Sequence, residues 1–478
     1  MEFDLTKPYC HYFNEIAKIP HGSNNEKGLS DYLMNFAKEL GLVCKQDDMF
    51  NVIIYKEGSK GYENSSPLML QAHMDMVCEK NKDSDHDFLK DSLTLVVKDG
   101  ILKANGTTLG ADDCTGVAYM MAILADQALA HPPLECVFTV QEEIGLYGAM
   151  HIKAEDIKAR RMISLDGGGE TNTLLSSAGG CRNTIVKTLE YENNTKPTYR
   201  LSVRGLLGGH SGGEIHKEKG NANKLAMRVL NEARMAGLDL KLVSFNGGLK
   251  ENAIPREADI EFVYAGDKNK FMELFLKSET EIKDELEFSD AGFKIEVEEL
   301  PVALRCLSDV CNAKVCDFVY LLPNGFKARS MAISGLTVTS LNLGVVETID
   351  NELVLSVSIR SAIKSGIENL IREIACLCQI FDASYSIHAF YPGWNYSKVS
   401  PMRDSLMEVV KGIYNRDLEL IAAHGGTECG IFKALHADMD IVSIGPITKD
   451  IHTPDESLDL ASFDRTYNLL TKFVSACK

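Results

Sequence analysis

The sequence predicts an α/β protein with a mostly parallel central sheet flanked by helices, interrupted by an inserted α+β domain. Near both ends of the chain, short apolar strands alternate with amphipathic helices, which is typical of parallel sheets. Between these parts, the polar, turn-forming segment 191–197 precedes strands and helices in mixed order. We therefore predict one discontinuous domain, residues 1–185 and 390–478, and an inserted domain, residues 186–389. The chain has 478 residues, which is far longer than one typical domain of about 100–200 residues and agrees with two domains.

Each element is predicted from its hydrophobic period, which is two residues for a strand and 3.6 for a helix. In the outer domain the predicted strands are 67–72, 134–140, 162–165 and 440–444, and the predicted helices are 29–40, 115–129, 149–159, 402–414 and 460–473. In the inserted domain the predicted strands are 199–203, 240–245, 259–264 and 353–359, and the predicted helices are 221–236, 270–286 and 367–380. Internal sequence repeats are not apparent.

Composition narrows the range of partners. A net charge of -18 argues against nucleic acid and anionic membranes, so small molecules are the expected ligands. No apolar run approaches the roughly 20 residues of a membrane-spanning helix. The thirteen cysteines form no paired framework, and the N-terminus lacks the pattern of a secretion signal. We therefore expect a cytoplasmic protein with reduced thiols.

Histidines and carboxylates follow the predicted strands, where open α/β sheets place their binding crevices. His73 and Asp75 follow the first of these strands and point the same way, which suits a metal ligand and its orienting acid. A surface pair is the alternative. Asp112 opens a predicted helix, where it could instead serve as a helix cap. Glu142 and Glu143 directly follow the strand segment 137–141, so one could bind a metal while the other handles protons.

Two further candidates complete the pattern. Asp166 ends a strand and precedes three glycines, and a phosphate loop is disfavoured because no Gly-Lys-Ser/Thr follows. His452 follows the strand 440–444 after a Gly-Pro turn. Mixed imidazole and carboxylate ligands suit zinc, with manganese or cobalt as substitutes.

Several segments resemble the aminoacyl-histidine dipeptidases, a carnosinase-like group within the co-catalytic di-zinc family that includes aminoacylase and glutamate carboxypeptidases. The similar segments are 72–77 (Ala-His-Met-Asp-Met-Val), 108–112 (Thr-Leu-Gly-Ala-Asp), 141–145 (Gln-Glu-Glu-Ile-Gly), 208–216 (Gly-Gly-His-Ser-Gly-Gly-Glu-Ile-His) and 220–224 (Gly-Asn-Ala-Asn-Lys). The resemblance runs in order from about His73 to His452, which is nearly the whole chain. It implies that the outer domain is catalytic and that the inserted domain is a lid that also forms a homodimer.

The resemblance also implies a role for each residue at the site. Two Zn²⁺ ions per subunit are expected, with Co²⁺ or Mn²⁺ as substitutes. One zinc is held by His73 and Asp166, the other by Glu143 and His452, and Asp112 bridges the two. Asp75 orients His73, and Glu142 is the general base. The implied lid residue His210 stabilises the oxyanion in its own or the neighbouring subunit.

Substrate contacts are implied for Arg360, Asn252 and Glu428. An arginine fork matches a terminal carboxylate, although Arg360 could also be an ordinary surface residue. The sequence departs from the family pattern at Gly426-Thr427, where the segment ending at Glu428 is expected to read Ala-Gly-Leu-Glu, and at Asp113, where asparagine is commoner. The resemblance therefore implies hydrolysis of short dipeptides, including Xaa-His. The alternatives are a tripeptidase, an N-acyl amino acid deacylase and an inactive zinc-binding scaffold.

Overall fold

The computed structural model describes residues 2–478, which fold into two compact units. Of the described residues, the first unit comprises 2–177, Trp394–Ala422 and Thr427–Lys478, and the second comprises Ala178–Gly393 and Ala423–Gly426. The sequence-based boundaries were set at 185 and 390. The division falls earlier, at Ser177, because the strand that begins at Gly179 pairs along its whole length within the second unit.

Strands and helices are numbered along the chain. The strands are β1 (Val43–Gln46), β2 (Val52–Lys56), β3 (Leu68–His73), β4 (Leu95–Lys98), β5 (Ile101–Ala104), β6 (Leu134–Thr139), β7 (Arg161–Ser164), β8 (Asn172–Leu174), β9 (Gly179–Thr188), β10 (Tyr191–Asn193), β11 (Thr198–Arg204), β12 (Gly209–His210), β13 (Lys241–Gly247), β14 (Ala253–Ile254), β15 (Ala258–Val263), β16 (Lys294–Leu300), β17 (Arg305–Leu307), β18 (Gly325–Arg329), β19 (Thr337–Ile349), β20 (Glu352–Ser361), β21 (Ser384–Tyr391), β22 (Glu419–Ile421), β23 (Asp440–Ser443), β24 (Thr448–Lys449) and β25 (Ser457–Asp459). The helices are α1 (Pro8–Ile16), α2 (Lys27–Glu39), α3 (Ala111–Ala125), α4 (Tyr147–His151), α5 (Ala222–Met235), α6 (Lys268–Glu285), α7 (Asp309–Leu321), α8 (Lys364–Phe381), α9 (Pro401–Tyr414), α10 (Glu428–Leu435) and α11 (Leu460–Ala476).

The first unit is built on a six-stranded sheet in the order β1-β2-β6-β3-β7-β23. Strands β6, β3, β7 and β23 are parallel, and the antiparallel strands β1 and β2 continue one edge. Every residue of β3 and β6 is buried, as expected for the central strands of a covered parallel sheet. The prediction of a mostly parallel sheet in this part of the chain is therefore confirmed.

The first unit differs from the predicted elements between residues 149 and 159. A helix was predicted over this range, but α4 ends at His151 and only the 3₁₀ turn Ala154–Asp156 follows. The backbone N–H groups of Lys158 and Ala159 donate to the buried carboxylate of Glu135 instead of continuing a helix. That contact directs the chain into β7.

The second unit contains a nine-stranded antiparallel sheet in the order β16-β11-β15-β13-β19-β20-β9-β21, with β18 paired to β19. Helices α5 to α8 contribute with the sheet to one apolar core, and α5 packs against both α6 and α7. The predicted inserted α+β architecture is confirmed.

The nine-stranded sheet contains the same topology twice. One half runs β11-α5-β13-β15-α6-β16, and the other runs β9-α7-β19-β20-α8-β21. In each half the third element pairs with the fourth, the fourth with the first, and the first with the last. The halves join through β13 and β19. The second unit is therefore an internal structural repeat, although the sequence shows none.

Two expectations from composition concern the whole chain. Within residues 2–478, the structure has no helix that combines the length and apolar character needed to span a bilayer. All thirteen cysteines are free thiols.

Candidate metal centre

Histidine and carboxylate side chains gather at the carboxyl edge of the parallel sheet in the first unit. His73 ends β3, Glu142 and Glu143 follow β6, and Asp166 follows β7. Asp112 lies in the first turn of α3, where its backbone and that of Asp113 are not helical. His452 lies in the loop between β24 and β25. Parallel strands bring their carboxyl ends to one edge, so residues far apart in sequence meet there.

His73 is buried, and its two ring nitrogens have different partners. Its Nδ1 lies 3.0 Å from the backbone carbonyl oxygen of Asp75 and 3.6 Å from the Asp75 carboxylate. Its Nε2 lies 3.1 Å from Oδ1 of Asp112. Burial alone lowers the pKa of His73, but the carboxylates of Asp112 and Asp75 outweigh it and raise that pKa well above its ordinary value. A carbonyl contact at Nδ1 leaves Nε2 as the ligand atom.

The two oxygens of Asp112 face two different histidines. Oδ1 faces His73, and Oδ2 lies 3.5 Å from Nε2 of His452. The same His452 nitrogen lies 3.0 Å from Oε1 of Glu143. Hydrogen bonds that His452 donates to the carboxylates of Asp112 and Glu143 raise the pKa of His452 to about 10. A carboxylate in this position can bridge two cations.

Three of the predicted ligands form a compact group. The nearest ligand atoms of His73, Asp112 and Glu143 all lie within 4.8 Å of one another, close enough to bind a single metal ion. Asp166 is not part of this group of three; burial, followed by the negative charge of Asp112, raises the pKa of Asp166 to about 7.

The charge balance of this cluster fits a metal centre. Among residues 2–478, no lysine or arginine forms an ion pair with Asp112, Glu142, Glu143 or Asp166. The positive charges that face these carboxylates come from His73 and His452, and each buried carboxylate left without a partner costs several kcal/mol. Divalent cations are the natural compensation, and imidazole with carboxylate is a donor set that zinc accepts.

Glu142, the predicted general base, is held by its backbone. Its N–H donates to Oδ1 of Asp75 at 3.0 Å, and the N–H of Glu143 donates to Oδ2 of Asp75 at 3.2 Å. Burial raises the pKa of Glu142 well above its ordinary value, and the negative charge of Asp166 adds to this effect.

Glu428 begins α10 and is buried in the first unit. Its Oε2 accepts hydrogen bonds from the Thr139 hydroxyl at 2.7 Å and the Gln71 amide at 2.5 Å. Both partners lie on strands that lead to site residues, β6 and β3. Burial raises the pKa of Glu428 to about 8. Sequence reasoning missed Gln71 and Thr139, since neither residue type is a metal ligand or a common acid or base.

His210, Asn252 and Arg360 belong to the second unit. His210 ends β12 and pairs with Ala253 of β14, so Asn252 is its close neighbour in the fold. The Nδ1 of His210 accepts a hydrogen bond from the backbone N–H of Gly213 at 3.1 Å. Burial, followed by the charge of Arg360, lowers the pKa of His210. A neutral imidazole is therefore favoured there.

Arg360 lies in a row of residues that crosses the second unit's sheet. It pairs with Ser340 on one side and with Gly180 on the other. Its Nη1 donates to the hydroxyl of Tyr391 at 3.2 Å, and a Cβ on Gly180 would lie 2.8 Å from that hydroxyl. The Ser340 hydroxyl lies 2.7 Å from Nε2 of the buried His424. Sequence reasoning gave no role to Tyr391 or to His424, although His424 lies in the same glycine-containing segment as Glu428.

Imidazole and carboxylate side chains gathered at the carboxyl edge of a parallel sheet are typical of metal-dependent hydrolases. The sequence profile of peptidase family M20/M25/M40 matches residues 69–476. The chain therefore belongs to this family of peptidases.

Comparisons with individual proteins agree with this assignment. The chain is 36% identical over 473 residues to a cytosol non-specific dipeptidase of Escherichia coli, covering 98% of this chain and 97% of that protein. It superposes with a TM-score of 0.94 on the crystal structure of aminoacylhistidine dipeptidase from Vibrio alginolyticus, at 33% identity, covering 100% of this chain and 98% of that one. An aminopeptidase PepT from Bacillus cereus, at 15% identity and a TM-score of 0.57 over the full length of both chains, shares the fold.

These findings confirm the family resemblance, the fold class and the prediction of a peptide hydrolase. Peptidases of this family depend on metal ions, and a cluster suited to a metal is present in the first unit.

Proposed function

We propose that this chain is a dipeptidase that uses two Zn²⁺ ions, with Co²⁺ or Mn²⁺ as substitutes. The observation that carries the proposal is the position of Asp112, whose two carboxylate oxygens face His73 and His452 separately. Asp166 with His73 and Glu143 with His452 complete the two ligand sets. Dipeptidase activity is the function that the relatives' names support.

Glu142 is the general base in this proposal. When bound, the metal ions activate a water molecule and polarise the scissile carbonyl. Glu142 accepts the proton of that water and later delivers it to the leaving amine, a role worth about 10²–10⁴ in rate. Asp75 holds the Glu142 backbone through its hydrogen bond.

Residues of the second unit complete the site in this proposal, with that unit acting as a lid. His210 donates a hydrogen bond to the developing oxyanion, an interaction worth about 3–4 kcal/mol. Arg360 and Asn252 bind the terminal carboxylate of the substrate. Glu428, in the first unit, lies on the substrate side through its contacts with Gln71 and Thr139.

The proposed substrates are short dipeptides with a free carboxylate, including Xaa-His. One relative is named a non-specific dipeptidase and the solved structure is named an aminoacylhistidine dipeptidase, so we propose a range that includes β-alanyl-histidine but is not restricted to it. We further propose that the protein acts in the cytoplasm and forms a homodimer through the second unit. Light scattering in solution tests the dimer.

A substrate panel with a metal assay tests the proposed function. The purified chain is loaded with Zn²⁺ and given β-alanyl-histidine, other dipeptides, tripeptides and acetylated amino acids. We expect about two zinc ions per chain and turnover of dipeptides above the other classes. A preference for tripeptides or acetylated amino acids contradicts the dipeptidase, and zinc binding without turnover of any substrate favours the inactive scaffold.

A further inference from the structure

Glu456 is a buried carboxylate that the proposed mechanism does not use. It immediately precedes β25, and its side chain is 2% exposed. Its partners lie 344 to 347 positions earlier in the sequence, in the turn that begins α3. The same loop carries His452, four positions earlier in the sequence.

The carboxylate of Glu456 accepts from four consecutive backbone N–H groups. Oε2 lies 2.7 Å from the nitrogen of Leu109 and 3.0 Å from that of Gly110. Oε1 lies 2.8 Å from the nitrogen of Ala111 and 3.4 Å from that of Asp112. The first N–H groups of a helix have no partner within the helix, so an external carboxylate both satisfies and orients them.

The turn held by Glu456 has no internal cap. Gly110 precedes α3 in the left-handed conformation, with φ 66°, and offers no side chain to accept the free N–H groups. The backbone of Asp112 itself leaves the helical conformation, with φ -87° and ψ 107°. The direction of the Asp112 side chain therefore depends on contacts from outside the turn.

The loop that carries His452 also has few constraints of its own. The side chain of His452 is 46% exposed, and its φ is 64°. Pairing of β25 with β5 fixes one end of this loop, and Glu456 lies directly before that pairing. One carboxylate thus ties the loop of His452 to the turn of Asp112.

We propose that Glu456 is a positioning residue of the two-metal site, an inference that rests on the proposed function. By holding the backbone from Leu109 to Asp112, it fixes the Asp112 carboxylate where its two oxygens face His73 and His452. A carboxylate is required because each oxygen accepts from two N–H groups. Glutamine has one acceptor oxygen, and its amide group presents donors to the other two N–H groups.

The test compares Glu456→Gln with a matched control, Glu135→Gln. Glu135 is 4% exposed and also accepts from backbone N–H groups, those of Lys158 and Ala159, but it lies near the amino end of β6, away from the site. Zn²⁺ affinity is measured by competition with a chromophoric chelator. The thermal midpoint is measured on the metal-free proteins, and kcat and KM are measured with a dipeptide substrate.

We expect Glu456→Gln to weaken Zn²⁺ binding about 10- to 100-fold, the usual effect of losing a contact that orients a ligand. It should lower kcat and leave KM for the dipeptide within about twofold, because the substrate contacts are unchanged. Both variants should lower the thermal midpoint of the metal-free protein to a similar extent, because each loses hydrogen bonds between a buried carboxylate and backbone N–H groups. Glu135→Gln should leave Zn²⁺ affinity unchanged.

The role of Glu456 is overturned if Glu456→Gln binds Zn²⁺ as tightly as the parent does. It is also overturned if Glu456→Gln and Glu135→Gln lose the same amount of Zn²⁺ affinity. If Glu456→Gln does not fold, Glu456→Asp takes its place, because it keeps the charge but is too short to reach all four N–H groups. Unchanged Zn²⁺ affinity in that variant overturns the proposal too. A parent chain that binds no zinc and cleaves no dipeptide overturns the proposed function itself, an outcome distinct from a defect confined to the variant.

Discussion

Oδ1 of Asp75 lies 3.0 Å from the backbone nitrogen of Glu142, so the acid that follows His73 fixes the turn of the proposed general base. The same carboxylate is 3.6 Å from the His73 ring, whose hydrogen bond goes to the backbone of Asp75. Asp75 therefore acts on the Glu142 turn at least as directly as on His73, the proposed metal ligand. Glu456 holds the Asp112 turn in the same manner.

Replacing Glu142 tests the proposed base. Glu142→Ala should lower kcat by about 10²–10⁴ because no other group takes the proton from the attacking water. Zinc content should be unchanged, since Glu142 is not among the proposed ligands. Glu155→Ala, which removes an exposed acid from a nearby segment, is the control. Turnover close to that of the parent would show that the base is another residue.

Replacing Arg360 tests the grip on the substrate carboxylate. Arg360→Ala should raise KM for free dipeptides roughly 10- to 100-fold, because a hydrogen bond to a charged group contributes about 1.5–3 kcal/mol. Dipeptide amides, which lack the carboxylate, should be affected much less. Arg200→Ala serves as the control, because Arg200 is paired with Glu261 on another strand of the same sheet. Unchanged kinetics for free dipeptides would remove Arg360 from the site.

Metal removal should abolish activity and Zn²⁺ should restore it. In the metal-free protein, burial and the charge of Asp112 raise the pKa of Asp166 to about 7, so this carboxylate takes up a proton as the pH falls through 7. Protons and Zn²⁺ then compete for the same oxygens. Zinc titrations at pH 8 and pH 6 should show binding at least ~10-fold weaker at the lower pH. Equal affinity at both values would contradict this competition.

His424 should make the protein less stable in acid. Burial, followed by the positive charges of Arg360 and His216, lowers the pKa of His424 to about 3. In the unfolded chain this pKa is near 6.5, so between about pH 6.5 and 3 the unfolded state binds the extra proton. The contribution is fully present above pH 6.5 and is lost as the pH falls, by up to ~1.4 kcal/mol per unit.

Urea unfolding at pH 6.5 and 4.5 measures this effect. The free energy of unfolding of the parent should fall by about 2–3 kcal/mol more than that of His424→Gln over these two units. His388→Gln, at an exposed position of the same unit, is the control and should behave as the parent does. Parallel losses in the parent and His424→Gln would show that His424 is not responsible.

The sequence located the site through its strands. His73, Glu142 and Asp166 were singled out because each follows an apolar run, and β3, β6 and β7 end beside them in the structure. In a parallel sheet the carboxyl ends of the strands lie at one edge, so side chains that follow different strands come close together. This closeness could be inferred without knowing the path of the chain. Which residues serve as ligands stays a prediction.

Contacts made by tertiary closure could not be predicted in this way. Glu456 reaches the turn at Leu109 across 347 positions of sequence, and nothing in the pattern around it marks a carboxylate that accepts from backbone. The repeated topology of the second unit was also missed. Its outer strands β16 and β21 do alternate polar and apolar residues over 294–298 and 384–389, but a strand period does not say which strands pair with one another.

The repeated halves of the second unit are nested, and this has a consequence for synthesis. Strand β9 emerges first, but its partners β20 and β21 follow only after the whole of the other half has been made. At about 5–20 residues per second, the ribosome leaves β9 without neighbours for on the order of 10 s. The inner half can fold during that interval. Strand β9 stays unpaired, so its free backbone N–H and C=O groups can pair with the wrong strand of the same or another nascent chain.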